Sequence, residues 1–493
     1  MHDYSKLGFK AGLEIHQQLD TPKLFSGAPS FLRNDEPHYR IERKLHAVAG
    51  ETGVVDEAVA HEAALGKTFV YGGYRDSVSL VELDEEPAHA VNSEALDVAL
   101  TVALLLNCEI YPVTQVMRKT VIDGSNTSGF QRTVLIAHDG FVDTSFGNVR
   151  VATVCLEEDS ARLISREKNK SVYRLDRLGI PLVEIATYPD LRNAEQVKEC
   201  ALKLGEILRA CRVKRGIGTI RQDVNISVSG HDRVEIKGFQ DPKMMITTID
   251  KEIERQLLDL KNKKLSGNSK GARDLLRGDV RNALPDGSSE FLRPMPGASR
   301  MYPETDLPLL RIGLEKVNRI KKNLPKLKSD IRDELKKKGL TDEMIKLVLS
   351  ENYYFDSFEN LLNIYSKDAN LIAKMVVLWR EEIATKTGKT IDGVMKVLHE
   401  RVLEQILELV RDGKLENGDV KSVMMKIAEG VKFSDAVKID KISDDEVEIY
   451  VREIVKEKPG MRANAYMGMV MAKFKGKIDA KKAMEIIDRV VGK

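Results

Sequence analysis

The texture of the chain changes near residue 310, and that change limits the folds open to it more than any other feature. Before it, short β-branched runs are punctuated by glycines and by D-G or G-N pairs; beyond residue 312, apolar residues recur at spacings of three and four. A period of two sends side chains alternately to the two faces of a strand, whereas 3–4 spacing builds one apolar stripe along a helix. Gly8–Leu19, Val149–Glu158, Ile180–Thr187, Gly218–Ser229 and Val234–Phe239 therefore read as strands, with helices at Ser93–Leu106 and Ala194–Arg212. D-G at 139–140 and G-N at 147–148 read as turns between strands.

Downstream, helical patterns cover Ala369–Thr385, Asp392–Arg411 and Asp445–Lys456, with Ser329 and Thr341 as expected N-caps. Pro459 and Gly460 then break the chain before a last helix pair, Ala463–Phe474 and Asp479–Val491. The expectation is an α+β domain over residues 1–311, an all-α domain over 312–430 and a small helical tail domain over 431–493. Lys261–Arg277, rich in Lys, Gly, Ser and Asn, reads as a flexible stretch.

Charge is balanced, with 78 Lys and Arg against 76 Asp and Glu, so any contact with nucleic acid must come from a local patch. The tail is one such patch: Arg462, Lys473, Lys475, Lys477, Lys481, Lys482, Arg489 and Lys493 lie within its last residues, and a solvated helix pair is the plainer reading. Cys108, Cys155, Cys200 and Cys211 are far apart, which fits reduced thiols and not a disulfide frame. The longest apolar stretch, around Val98–Leu106, falls well short of the roughly 18 residues of a membrane span. A cytoplasmic protein without membrane association is expected.

Glu14 and His16 sit two apart on a strand, so both leave the same face. Such a pair serves as half a cation site or an acid–base pair, or simply as a polar edge. The strand Val149–Glu158 runs into Glu157, Glu158 and Asp159, and Glu184 is the single acid in the apolar run IPLVEIAT. A lone carboxylate in an apolar strand requires a metal, a cation or hydrogen bonds, and Arg174, Arg177 or Lys237 could supply a structural partner. Acids on three strands point instead to Mg²⁺, which prefers oxygen ligands and shares them with substrate phosphates. Glu14, His16, Glu158 and Glu184 are the expected catalytic and metal-binding set; a histidine among them would also admit Mn²⁺ or Zn²⁺.

Met117–Thr133 combines Arg118 and Lys119 with a polar glycine loop, DGSNTSG, and then Arg132. Hydroxyls, backbone N–H groups and flanking cations suit phosphate oxygens, although such a loop is also an ordinary turn. Phe291–Pro308 carries Arg293, Arg300, Glu304 and Asp306 on a path held extended by four prolines, which fits either the wall of a cleft or a structural wrap. The expected nucleotide contacts are Arg118, Lys119, Ser125, Asn126, Ser128, Arg132, Lys237, Arg293 and Arg300. No G-x-S-x-G elbow, Ser/Lys amidase pattern or glutaminase-like cysteine is evident, so ammonia, if used, must be made elsewhere.

In this order, GLEIHQQLDT, LVELDEEP, MRKTVIDGSNTSGFQRT, CLEEDSAR, YRLDRLGIPLVEIAT, RVKRGIGTIRQDVNISV, VEIKG and RPMPGASRMYPETDLP resemble the GatB/GatE family of tRNA-dependent amidotransferase subunits. They span residues 8 to 310 almost continuously, and DGSNTSGFQRT with SRMYPETDLP is similar to the E branch, that of the archaeal-type glutamyl-tRNA(Gln) amidotransferase. A B-type member is expected to show a segment like HDYRYFPDPDLP there. The resemblance implies a glutamine-synthetase-like cradle with a YqeY-like tail. It implies a subunit that phosphorylates the glutamate of Glu-tRNA(Gln) with ATP and Mg²⁺ and then amidates it. Ammonia would come from an asparaginase-like D subunit, GatD, in a heterotetramer of two D and two E. Glu14, His16, Glu158 and Glu184 fall on the family's metal-binding motif positions. A B-type subunit and a non-catalytic tRNA-binding accessory protein are the competing readings. Two departures are expected to matter: the aspartyl-tRNA-synthetase-like insertion ahead of NALPDG is missing, and KLFSGAPSF lacks the Cys pair of many relatives, so no structural zinc is expected there.

Overall fold

The computed structural model describes residues 2–49, 53–239, 242–266, 276–295, 301–438, 443–474, 478 and 480–491. The chain divides into two compact units, Met1–Leu327 and Lys328–Lys493. In the first, the alternating runs become β1 (Lys10–Gln18), β2 (Tyr39–Arg43), β3 (Thr68–Gly73), β4 (Glu109–Ile110), β5 (Val113–Thr114), β6 (Val116–Thr120), β7 (Phe130–Thr144) and β8 (Gly147–Glu158). These are followed by β9 (Arg162–Arg166), β10 (Lys170–Arg174), β11 (Pro181–Thr187), β12 (Ile220–Ser227), β13 (Val234–Phe239), β14 (Asp279–Ala283), β15 (Ser289–Pro294), β16 (Met301–Pro303) and β17 (Leu310–Arg311). Helices α1 (Glu57–Ala63), α2 (Ser93–Leu105), α3 (Ala194–Ala210) and α4 (Pro242–Ser266) lie among them.

Eleven strands form one sheet in the order β15-β14-β13-β12-β1-β11-β8-β7-β6-β16, with β4 also on β7. Its pairs are antiparallel except β13–β14. Leu13, Ile15, Val154, Leu156, Val183, Ile185, Val224 and Ile226 belong to one apolar core with Ala99, Val102, Leu204, Leu208, Ile249 and Ile253 of α2, α3 and α4. Because side chains alternate, burying that face leaves Glu14, His16, Glu157, Glu184 and Asp223 on the other. A second sheet, β2-β3-β10-β9, has its own cluster of Phe69, Tyr71, Tyr173, Leu175 and Leu178.

Three details depart from the sequence reading. The D-G pair at 139–140 is no turn: β7 runs straight through it, with Asp139 at φ +48° and Phe141 N–H donating to Leu106 O at 2.8 Å. The stretch expected to be flexible is helical as far as Ser266, in keeping with its Lys and Leu content; 267–275 lies outside the described residues. The first unit continues past residue 311, because Leu314–Lys322 is a helix whose Ile320 is buried in the sheet's own core.

The second unit is helical throughout its described residues. One cluster gathers Ile345, Phe358, Ile372, Val376, Leu403, Ile406 and Val423, and another gathers Val447, Val451, Tyr466, Val470 and Ile487. Thr341 caps its helix as expected, accepting from Met344 N–H at 3.3 Å, whereas Ser329 lies inside Lys328–Lys337 and so is not an N-cap. Buried Arg380 donates to Leu398 O at 2.7 Å, tying two helices together through a freed carbonyl. In the tail, Lys482 and Arg489 pair with Asp444 and Glu448 of the helix Asp444–Glu457, which offsets part of its positive charge; Lys475, Lys477 and Lys493 lie outside the described residues. Among the described residues no helix is long and apolar enough to cross a membrane.

Gly140 explains why β7 can pass so close to the end of α2. A Cβ there would overlap Cys108 Sγ and lie 2.5 Å from Leu106 O. Gly140→Ala is expected to destabilise the first unit by about 2 kcal/mol, as overpacking typically does. Urea unfolding of the variant checks this, and an unchanged midpoint would show that the contact relaxes freely.

Candidate active site

The polar face of the large sheet is built by register. β1 lies between β11 and β12, with His16 opposite Glu184 on one side and Arg221 on the other, and Glu14 opposite Asp223. His16 Nε2 is 3.1 Å from Glu184 Oε2, 3.7 Å from Glu14 Oε1 and 3.9 Å from Glu157 Oε2. Two overlapping groups have ligand atoms mutually within 4.8 Å: His16, Glu157 and Glu184, and Glu14, His16 and Asp223. Carboxylates and one imidazole at such spacing could hold a divalent cation, or two sharing the imidazole's surroundings.

Counter-charges interleave with these acids. Lys119 Nζ lies 2.6 Å from Glu157 and 3.6 Å from Glu184, so the lone acid of β11 finds its partners in Lys119 and His16, and not in Arg174, Arg177 or Lys237. Lys237 binds Asp223 at 2.6 Å and also pairs with Glu235. Gln131 Nε2 donates to Glu157 Oε2 at 3.2 Å.

Crowding separates the acids' behaviour. Burial and the Glu184 charge push the Glu14 carboxyl up to about 7. Burial raises Glu184 too, but Lys119 and the His16 hydrogen bond outweigh it and hold that carboxyl well below the usual range. For His16 burial opposes the charge, yet the Glu184 bond and the Glu14 and Glu157 charges prevail and lift it to about 9.

Glu158 is elsewhere. It shares β8's core-facing side with Leu156, and its Oε1 accepts from Arg132 N–H at 2.9 Å and lies 3.4 Å from Arg132 Nη1. Of the expected set the structure therefore brings Glu14, His16 and Glu184 together but not Glu158; Glu157, one residue earlier, faces His16. The strand period carried that information, since Val154 and Leu156 face the core and 155, 157 and 159 must face away. Asp223 was likewise missed, although its place between Gln222 and Val224 in a strand gives the same signal.

The expected phosphate loop divides as well. Arg132 is buried, with Nε 2.8 Å from Glu304 Oε2, and Arg118 Nη2 bonds Glu304 Oε1 and, at 3.1 Å, Asp306. These two cations are committed to a fully buried Glu304, a role Lys119 does not share. Ser125 N–H donates to Asp123 Oδ1 at 2.8 Å, Asn126 Nδ2 reaches Ser125 and Ser160 hydroxyls at 3.3 Å, and Ser128 donates to Phe130 O. Gly124, at φ +91°, is needed because a Cβ would enter the Phe69 ring. A cavity of about 230 Å³ opens beside the acids, lined among others by Lys119, Ser125, Ser160, Lys237 and Arg293. Among the described residues Arg293 makes no ion pair; Arg300 lies outside them.

Residues 9–318 match the family described as the GatB/GatE catalytic domain. The chain is 35% identical to the E subunit of glutamyl-tRNA(Gln) amidotransferase from Methanocaldococcus jannaschii over 630 aligned positions, covering 98% of each. It is 34% identical to the protein of that name from Methanococcus maripaludis, covering 97% of each, and 32% identical to that from Thermococcus gammatolerans, covering 99% of each. An alignment of 630 positions against 493 residues means that the Methanocaldococcus protein carries internal positions that this chain skips.

Two outcomes are expected of the site. Mn²⁺ affinity should climb from pH 6 toward pH 9, by about tenfold per unit where one proton is displaced, because the cation must expel the proton His16 keeps up to about 9. Calorimetric titration at several pH values reads this, and a flat profile would remove His16 from the ligands. Arg132→Ala should lower stability by about 3 kcal/mol, since it takes the guanidinium from buried Glu158 and leaves buried Glu304 with one guanidinium, that of Arg118. Denaturant melts measure that loss, and a wild-type midpoint would return Arg132 to the list of free cations.

Proposed function

The chain belongs to the GatB/GatE family, and on that premise we propose that it is the E-type subunit converting Glu-tRNA(Gln) to Gln-tRNA(Gln). The observation that carries this is the near-full-length similarity to E-type proteins, joined to a ring of carboxylates around His16 on an open sheet face. The fold is taken as a cradle of the glutamine-synthetase kind, the helical unit and basic tail as carriers of the tRNA body.

The chemistry asks for activation of a poor electrophile. A γ-carboxylate oxygen attacks the γ-phosphorus of ATP, ADP leaves, and ammonia then displaces phosphate from the acyl phosphate. Glu157, Glu184 and His16, with Glu14 and Asp223 beside them, would hold Mg²⁺. A bound Mg²⁺ would supply charge neutralisation between triphosphate and carboxylate. Lys119 and Lys237 serve as counter-ions that keep Glu14, Glu157, Glu184, Asp223 and Glu235 close before a cation enters. Ser125 and Arg293, which line the cavity with Lys119 and Lys237, would receive phosphate oxygens, whereas Asn126 and Ser128 stand behind that lining and would support the loop. Arg118 and Arg132 act one layer behind, holding Glu304 and Glu158 and through them the edge strand β16 against β6.

Ammonia would be delivered by an asparaginase-like D subunit in a complex of two D and two E. A sheltered route is required because water competes for the acyl phosphate.

Glutaminylation supported by ammonium chloride, with Glu-tRNA(Gln), ATP and Mg²⁺, tests the reading without the partner; no ADP release dependent on Glu-tRNA would defeat it. Within that assay Glu157→Gln and Glu184→Gln should lose activity by about a hundredfold or more while melting normally, because each removes an anionic ligand. Glu158→Gln should instead lose mainly stability. Equal loss of activity, at equal stability, in the 157 and 158 variants would overturn the assignment of Glu157 over Glu158.

A further inference from the structure

Asp159, just past the end of β8, is buried at 1% exposure and is met by donors from four residues. Gln18 Nε2 lies 2.7 Å away, Ser160 N–H 2.8 Å, Arg221 Nη2 and Nη1 3.1 and 3.5 Å, and Arg177 Nε 3.7 Å. One carboxylate thus meets two guanidiniums, with Asp223 and Glu157 as further negative charges around Arg221. Arg177 is further occupied, donating to Ser160 O and Ala161 O. Arg221 is not: its side chain is a third exposed, its contact with Asp159 uses two of its five donors, and it lies in register with His16 on the polar face.

We propose that Arg221, oriented by Asp159, is the receptor for the γ-carboxylate of the glutamyl group. The inference rests on the functional reading above and assigns a residue to its substrate. A carboxylate brought to a face that already holds Glu14, Glu157, Glu184 and Asp223 is repelled unless a fixed cation meets it. Lys119 and Lys237 are each shared between two acids, and Arg118 and Arg132 are turned to Glu304. Arg293 lines the nucleotide cavity, whose lining Arg221 does not join. That leaves Arg221 as the guanidinium next to the imidazole, with a planar fork that matches a carboxylate and a charge that persists at every working pH. Amidation turns the receptor's anionic ligand into a neutral amide, so the same residue favours release of product. Asp159 is a positioning residue: it touches no substrate and fixes the guanidinium.

The test compares equilibrium binding of Glu-tRNA(Gln) and Gln-tRNA(Gln) to the full chain, with binding of MgATP measured separately. Wild type should prefer the glutamyl form; Arg221→Gln should weaken that form by about tenfold or more and close the gap, leaving MgATP within about twofold. Arg221→Lys should restore part of the preference, and Asp159→Asn should narrow it less than Arg221→Gln does. Mn²⁺ binding and the melting curve of each variant report that the cluster and fold persist. A wild type without preference, or a preference that survives Arg221→Gln, overturns the assignment, and loss of MgATP affinity with the preference intact moves the guanidinium to the nucleotide. A wild type that releases no ADP with Glu-tRNA defeats the functional reading itself, whereas an active one with an unaltered Arg221→Gln variant defeats only this inference.

Discussion

Charge crowding around His16 is the constraint to which the rest of the first unit answers. Glu14, Glu157, Glu184, Asp223 and Glu235 lie on neighbouring strands of one face, and several are largely buried. At an effective dielectric of about 20, two unit charges 4 Å apart interact by about 4 kcal/mol, so such a group would drive its strands apart if left bare. Lys119, Lys237 and the imidazole are placed between the acids, and Glu14 takes up its proton readily. Lys119 and Lys237, each 2.6 Å from one acid and paired with a second, are what keep this face of the sheet together.

The same arithmetic orders the surroundings. Basic residues near an acidic site look alike in a sequence, but each is defined by the acid it already holds. Arg118 and Arg132 close on Glu304, which draws the segment Met301–Pro303 onto β6 and completes the sheet. Arg132 also accounts for Glu158, an acid otherwise untenable among Leu156 and its neighbours. Asp159 gathers Arg177, Arg221 and Gln18, and so joins the end of β1 to the loops that follow β8 and precede β11. Three consecutive acids at one strand end thus do three unrelated jobs.

The second unit follows a simpler rule. Its helices bury apolar stripes in two separate clusters, and its charges are mostly solvated. In the tail, the pairs Lys482–Asp444 and Arg489–Glu448 draw part of the basic surface onto the preceding acidic helix. A count of lysines therefore overstates the positive field around the tail.

Periodicity alone determined much of this protein. The strands at residues 10–18, 147–158, 181–187, 220–227 and 234–239 and the helices α2 and α3 were legible, because alternation and 3–4 spacing are local properties of the chain. Glu14, His16 and Glu184 stood out for the same reason, as acids and an imidazole spaced on strands that must bury their other face. What the sequence could not decide was partnership. Whether Asp139-Gly140 turns or runs on depends on how closely α2 approaches β7, and whether Arg132 is a clamp or a strut depends on Glu304, 172 residues away. Glu157 and Glu158 differ only by which face of β8 each leaves, and the core behind the sheet chose between them. Local pattern sets where a side chain can point; only the packed sheet sets what charge it meets there.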